Sequence, residues 1–113
     1  MEAQRIPQIG NPSRTVEIDQ SPRELMGDKW ADAQQVITTA YGRDVKALID
    51  AGESPEEATA QVLRALAQKH RYNAKNLPGT FAGVVKQVQA AAKEQYGHDI
   101  TRSQAIELLA GAQ

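Results

Sequence analysis

The sequence predicts an all-α protein, a small bundle of four to five helices. Aromatic residues make up only 4% of the 113 residues, so the core must be built from Leu, Ile, Val and Ala. Alanine-rich interiors are typical of closely packed helices, because alanine has the highest helix propensity and loses no side-chain entropy. Helix-start signals also recur along the chain. A chain of this length is expected to form one domain with its own core.

Residues 1–20 are predicted to be an extended arm, flexible or ordered by a partner, in front of a single helical domain at 21–113. Pro7, Gly10 and Pro12 interrupt this segment, which has no helical periodicity. Residues 14–19 alternate polar and apolar side chains as a short strand does. Such a strand would need an edge to pair with, for example from a second copy of the chain. The candidate contacts of the arm are Arg14, Val16 and Ile18.

The first helix signal is a Ser-Pro-x-Glu capping box at residues 21–24, which Gly27 weakens soon afterward. Gly42 follows a β-branched run, so we expect either one bent helix or two helices that meet near residues 41–42. Residues 51–52, Ala-Gly, should end this unit. The apolar stripe of the unit contains Met26, Trp30, Ala33, Ile37, Tyr41 and Leu48.

The second half of the chain predicts three more helices. Ser54 and Pro55 start a helix that is expected to bury Ala58, Val62, Ala65 and Leu66, and to expose Gln61, Arg64, Gln68 and Arg71. Residues 72–80 are expected to form a loop, with Thr80 as the cap of the next helix and Gly97 as its end. Thr101, with Gln104 three residues later, should cap the last helix, which Gly111 ends.

Several kinds of chemistry have no residues to support them. The chain has no cysteine, which excludes disulfides, thiolate zinc sites and a cysteine nucleophile. Neither a zinc-binding His motif, nor a calcium-binding loop, nor a glycine-rich phosphate loop is present. The two histidines, His70 and His98, are interpreted as polar residues at a helix end and in a turn. We therefore expect no enzyme activity, no bound metal and no cofactor.

The compartment is predicted from the absence of apolar runs. No segment approaches about 18 consecutive apolar residues, so no transmembrane helix is expected. Residues 1–20 do not resemble a signal peptide. These observations favour the cytoplasm and no membrane partner.

Charge is distributed unevenly, although the formal net charge is only −1. Residues 1–60 carry six basic and eleven acidic residues, whereas residues 61–113 carry seven basic and three acidic residues. Such asymmetry is typical of proteins with an anionic partner and of proteins whose unlike ends associate. The candidate contacts with a protein partner or a nucleic acid are Arg64, Lys69, Arg71, Lys75, Lys86 and Lys93.

Residues 101–106, Thr-Arg-Ser-Gln-Ala-Ile, resemble the start of the second helix in ribbon-helix-helix DNA-binding proteins. That family implies a dimer that reads DNA through a paired N-terminal ribbon. The likeness covers about ten residues. The segment before the preceding helix, residues 73–80, contains Pro78-Gly79 and lacks the alternation of a ribbon strand. No residue role is transferred from the family.

Trp30, the one tryptophan of the chain, has two interpretations. Its spacing from Met26 and Ile37 favours the core, and the alternative is an exposed interface anchor. The function expected from all these observations is a non-catalytic interaction or regulatory protein that docks onto a macromolecule, most simply a protein. A DNA-binding regulator is the alternative, and a second copy of the chain is a further candidate partner.

Overall fold

The computed structural model describes residue 18 and residues 20–111. Within that part of the chain the protein contains helices and no strand, which confirms the all-α prediction. The bounds are α1 Pro22–Met26, α2 Lys29–Ala40, α3 Gly42–Asp50, α4 Pro55–His70, α5 Gly79–Tyr96 and α6 Arg102–Gly111. The described residues thus form six helical segments rather than four to five. The additional one arises because Gly27, at φ +54°, separates the short α1 from α2.

The three helix starts with a side-chain cap are those predicted from the sequence. The Ser21 Oγ accepts a hydrogen bond from the Glu24 N–H at 3.3 Å, and the Glu24 carboxylate accepts one from the Ser21 N–H at 3.1 Å. The Ser54 Oγ accepts from the Glu57 N–H at 3.1 Å. The Thr101 Oγ1 accepts from the N–H three residues later at 3.0 Å. Each cap satisfies an N–H that the first helical turn leaves unpaired.

Of the other predicted helix boundaries, the one between α2 and α3 follows one of the two alternatives, and the predicted cap of α5 was wrong. Between α2 and α3 the chain forms two helices rather than one bent helix, since α2 ends at Ala40 and α3 begins at Gly42. The prediction that Thr80 caps α5 was wrong, because the helix begins at Gly79 with Pro78 in the N-cap position. Pro78 adopts the extended conformation that precedes a helix, and its side chain has no acceptor to offer the first turn. Gly97 ends α5 at φ +74°, as expected.

The bundle is organised around α2 and α6, each of which packs against both α4 and α5. The short α1 packs on α5 and α2, whereas α3 packs on α4 and α2. Side-chain bonds to backbone reinforce two of these contacts. The Gln89 Nε2 donates to the Ile100 carbonyl at 3.0 Å, and the Gln95 amide donates to the Leu25 carbonyl. The α1 helix is therefore hydrogen-bonded to the C-terminal end of α5.

The core contains one phenylalanine, Phe81, among aliphatic side chains and fully buried alanines. The buried face of α4 differs from the predicted one: it includes Leu63 and Ala67, whereas Ala65 is exposed. The reason is α6, which packs against α4 on the side where the Gln68 amide donates to the Ala110 carbonyl at 3.3 Å. The alanines that are 0% exposed are Ala33, Ala58, Ala67, Ala92 and Ala105.

The predicted arm lies mostly outside the described residues. Arg14 and Val16 belong to that part, so their role as arm contacts and the division into residues 1–20 and 21–113 stay predictions. Ile18 is described, and it is half-buried against the core. The Tyr96 hydroxyl donates to the Gln20 side chain at 3.2 Å. The end of the arm nearest the bundle therefore contacts this chain itself.

Candidate functional site

A largely apolar groove lies between α3 and α4. Its volume is about 540 Å³. It exists because α3 buries only one of its nine residues, Val45, so the rest of its apolar face lies open beside α4. Tyr41 and Leu48 on one wall, and Leu66 on the other, are half-buried. The complete lining, termed the α3–α4 groove below, is Tyr41, Asp44, Ala47, Leu48, Gln61, Val62, Ala65, Leu66 and Lys69.

Two opposite charges stand on the walls of the α3–α4 groove. Asp44 lies in the first turn of α3, and Lys69 lies in the last turn of α4. Both residues line the same groove, one from each helix. Neither has an ion-pair partner within 4.0 Å among the described residues. The groove thus combines apolar side chains with a cation and an anion that form no ion pair with another described residue.

Only three of the six basic candidates are both exposed and unpaired among the described residues. Arg71 pairs with Glu107, and the Lys93 Nζ lies 3.4 Å from the Asp99 carboxylate. Arg64 is half-buried rather than exposed, and it lines a different pocket from Lys69. The exposed and unpaired members among the described residues are Lys69, Lys75 and Lys86, which lie on α4, in the following loop and on α5.

The ion pair between Arg71 and Glu107 shifts the pKa of both partners in opposite directions. The hydrogen bond from Arg71 lowers the pKa of Glu107, more than partial burial raises it. The same hydrogen bond, together with the charge of Glu107, raises the pKa of Arg71. Arg71 is thereby committed to a contact within the chain and offers less charge to an outside anion.

Trp30 lies in the core, with only 8% of its surface exposed. The Arg23 guanidinium lies 6.0 Å from its ring centroid and separates part of the ring from solvent. This burial supports the core interpretation over that of an exposed interface anchor. Tyr72 is instead the most exposed aromatic residue described, at 90%. The Arg71 guanidinium lies 5.6 Å from the Tyr72 ring centroid.

The histidines show no arrangement with an acid in the part of the chain that the structure describes. His70 packs its ring 6.0 Å from the Phe81 ring, and His98 is exposed after α5. Neither forms an ion pair with an acid among the described residues. In the same part of the chain, no three His, Asp or Glu side chains cluster closely enough to hold a metal ion.

The residues of the α3–α4 groove were missed by sequence reasoning, with Lys69 the exception. The signal was present in α3, a nine-residue helix whose larger apolar residues, Val45, Leu48 and Ile49, are more than one buried position can hold. Leu48, which lines the groove, is half-buried, whereas Ile49 is 38% exposed and is not part of the lining. The contribution of α4 to the groove was not readable, since it depends on which face of α4 is covered by α6.

Residues 101–106 form the start of α6, as the ribbon-helix-helix likeness implies, but no strand precedes α5 in the described chain. The Arg102 guanidinium donates to the Ala74 carbonyl at 2.9 Å, which holds the loop before α5. None of the described helices is both long and apolar enough to cross a membrane. No family model matches the sequence, and comparison with the curated proteins and with the solved structures found no match.

Proposed function

We propose that the chain is a small non-catalytic docking protein whose α3–α4 groove receives an amphipathic helix of a partner protein. The observation that carries this proposal is the open apolar face of α3 beside α4. An amphipathic helix that lays its apolar side into such a groove is a common mode of peptide recognition. The expected partner helix carries an acidic residue facing Lys69 and a basic residue facing Asp44.

The half-buried apolar side chains and the two charges of the α3–α4 groove support this proposal. Leu48, Leu66 and Tyr41 are half-buried already, so covering them removes apolar surface from water without rearranging the core. Asp44 and Lys69 are unpaired among the described residues, which lets them select the register of a partner helix. A cytoplasmic location, and a second copy of the chain as the partner, remain expectations from the sequence.

A matched pair of variants tests the proposal. Ala65→Glu places a charge in the apolar part of the α3–α4 groove, and Ala90→Glu places the same charge on an exposed position of α5. Both changes replace one good helix former by another, so both variants should fold. Partner proteins that cross-link to the wild type and to Ala90→Glu should not cross-link to Ala65→Glu. Equal capture by all three proteins would remove the groove from consideration.

DNA binding is the alternative, and Lys69, Lys75 and Lys86 are the side chains that would carry it. Phosphate contacts give an affinity that falls steeply between about 50 and 200 mM salt. The docking proposal predicts no micromolar affinity for a mixed-sequence duplex at the lower salt, measured by fluorescence anisotropy. Micromolar binding that is lost in the variant with all three lysines changed to Gln would favour the DNA-binding regulator.

A further inference from the structure

A second pocket lies between the start of α1, the middle of α4 and the end of α6. Its volume is about 280 Å³. Pro22, Leu63 and Leu109 form apolar parts of its wall, and the Trp30 ring and Arg64 also line it. We propose that this pocket, termed the Trp30 pocket, binds a small monocarboxylate with a short apolar chain, whose carboxylate accepts hydrogen bonds from Arg64 and Trp30.

The first argument is the indole N–H of Trp30. The side chain is more than nine-tenths buried, with 8% of its surface exposed. Its Nε1 is buried and has no hydrogen-bond acceptor among the described residues. Buried tryptophan usually finds a partner for this N–H, because an unpaired buried donor has lost water without replacement. A ligand that brings an acceptor would supply the missing bond.

The second argument is Arg64, which lines the same pocket. Its Nε is also buried without an acceptor, and no acid lies within 4.0 Å of its guanidinium in the described part of the chain. Arg71 and Arg23, by contrast, pair with Glu107 and Glu56. A guanidinium presents N–H groups in a planar fork that matches a carboxylate. Two residues that each carry a buried donor without an acceptor among the described residues therefore line one small pocket.

The charges around the pocket favour a single negative charge. The Arg23 Nε lies 3.4 Å from the Glu56 carboxylate, so this cation is already compensated. Glu57 also lines the pocket, seven residues before Arg64 on α4, about 10 Å along the helix axis. Its charge opposes a dianion such as phosphate. The ligand charge thus belongs at Arg64, and the apolar chain extends toward Leu63 and Leu109.

The size of the pocket limits the ligand. Pockets for drug-sized molecules measure about 300–1,000 Å³, so 280 Å³ suits a molecule of few heavy atoms. Both donor nitrogens lie below the pocket surface. Entry of the carboxylate therefore requires a rotamer change of the half-buried Arg64 side chain, the kind of adjustment that is common on binding.

Titration of the whole chain with hexanoate tests the proposal, with hexanamide as the uncharged control of the same shape. Trp30 is the one tryptophan in the sequence, so its fluorescence and its Nε1–H resonance report on this pocket alone. Hexanoate at millimolar concentration should shift the Trp30 Nε1–H and Arg64 Nε–H resonances in a saturable manner. No saturable shift, or an equal response to hexanamide or to inorganic phosphate, would overturn the proposal.

Variants then assign the contacts. Arg64→Gln should weaken hexanoate binding by about tenfold or more, the loss expected for a charge-assisted hydrogen bond. Lys86→Gln removes an exposed charge from α5 and should leave the affinity unchanged. Trp30→Phe keeps an aromatic ring but removes the indole N–H. We expect this variant to bind hexanoate more weakly but measurably, with the Arg64 Nε–H resonance as the reporter. Unchanged binding in both Arg64→Gln and Trp30→Phe would contradict the assignment.

The Trp30 pocket does not rest on the proposed docking function. The pocket and the α3–α4 groove share no lining residue. Ala65→Glu should therefore bind hexanoate as the wild type does. Loss of partner capture with retained hexanoate binding, or the reverse, would separate the two proposals.

Discussion

Arg71, the residue after α4, forms a two-point ion pair with Glu107 of α6. The Arg71 Nε donates to Glu107 Oε2 at 3.0 Å, and its Nη2 donates to Oε1. Parallel bonds of this kind combine charge with fixed geometry. The pair joins residues 36 positions apart in the sequence and fastens the end of α4 to α6. It also removes one cation from the basic set that suggested nucleic-acid binding.

This ion pair predicts a pH dependence of stability. The hydrogen bond from Arg71 lowers the pKa of Glu107 in the folded protein. A lowered pKa stabilises the fold above the unfolded pKa, about 4.3 for glutamate, and this contribution is lost as the pH falls through the lowered value. Glu107→Gln should therefore reduce the unfolding temperature at neutral pH, and the difference from wild type should shrink in acid.

Thermal unfolding followed by circular dichroism from pH 7 to pH 3 measures this difference. Glu94→Gln removes an exposed acid that has no ion pair with a described residue, and it serves as the control. A deficit for Glu107→Gln that stays constant across this pH range would contradict the role of the ion pair.

Ser54 should contribute measurably to stability as the cap of α4. Ser54→Ala removes the acceptor of the Glu57 N–H, and loss of such a cap costs about 1 kcal/mol. For a domain of this size, this corresponds to a decrease of about 4–8 °C in unfolding temperature. Ser103→Ala, at an exposed position early in α6, should change little. Equal decreases in unfolding temperature for the two substitutions would show that the Ser54 cap does not stabilise the fold.

Ile37 and Val36 are adjacent in α2 but have opposite environments. Ile37 is 0% exposed and Val36 is 37% exposed. Ile37→Ala removes buried methyl groups and leaves a cavity, which costs about 2–5 kcal/mol. Val36→Ala should stay within about 0.5 kcal/mol of wild type. Urea unfolding gives both values, and a small effect of Ile37→Ala would mean that α2 is not packed as described.

Gly83, inside α5, and Gly97, which caps its C-terminal end, should respond to alanine in opposite directions. Gly97 adopts φ +74° and donates to the Lys93 carbonyl at 2.8 Å, so Gly97→Ala places a Cβ in the left-handed region at a cost of about 1–2 kcal/mol. Gly83 lies inside the helix, and a Cβ there would meet no heavy atom within 4 Å. Gly83→Ala should stabilise by about 1 kcal/mol. Urea unfolding measures both changes; a loss of stability in Gly83→Ala would contradict its position.

The sequence by itself determined the helical class and most helix ends. Ser21, Ser54 and Thr101 were recognised as caps because a cap is completed within three residues, by a bond that needs no other part of the molecule. The end of α5 at Gly97 was readable for a similar reason, since it depends on the backbone freedom of one residue, whereas Gly27 was expected only to weaken the first helix and in fact ends α1. Thr80 was misassigned because the helix begins one residue earlier, at Gly79, which places Thr80 inside the first turn.

Only the tertiary structure decided which surfaces are free. The Arg71–Glu107 pair, the half-burial of Arg64 and the exposure of Ala65 all follow from how α6 and α1 lie against the rest of the bundle. Helical periodicity identifies an apolar stripe, but it does not say which neighbour covers which part of it. The α3–α4 groove and the Trp30 pocket were therefore not predictable from the sequence, since each is formed by residues that are distant in the chain.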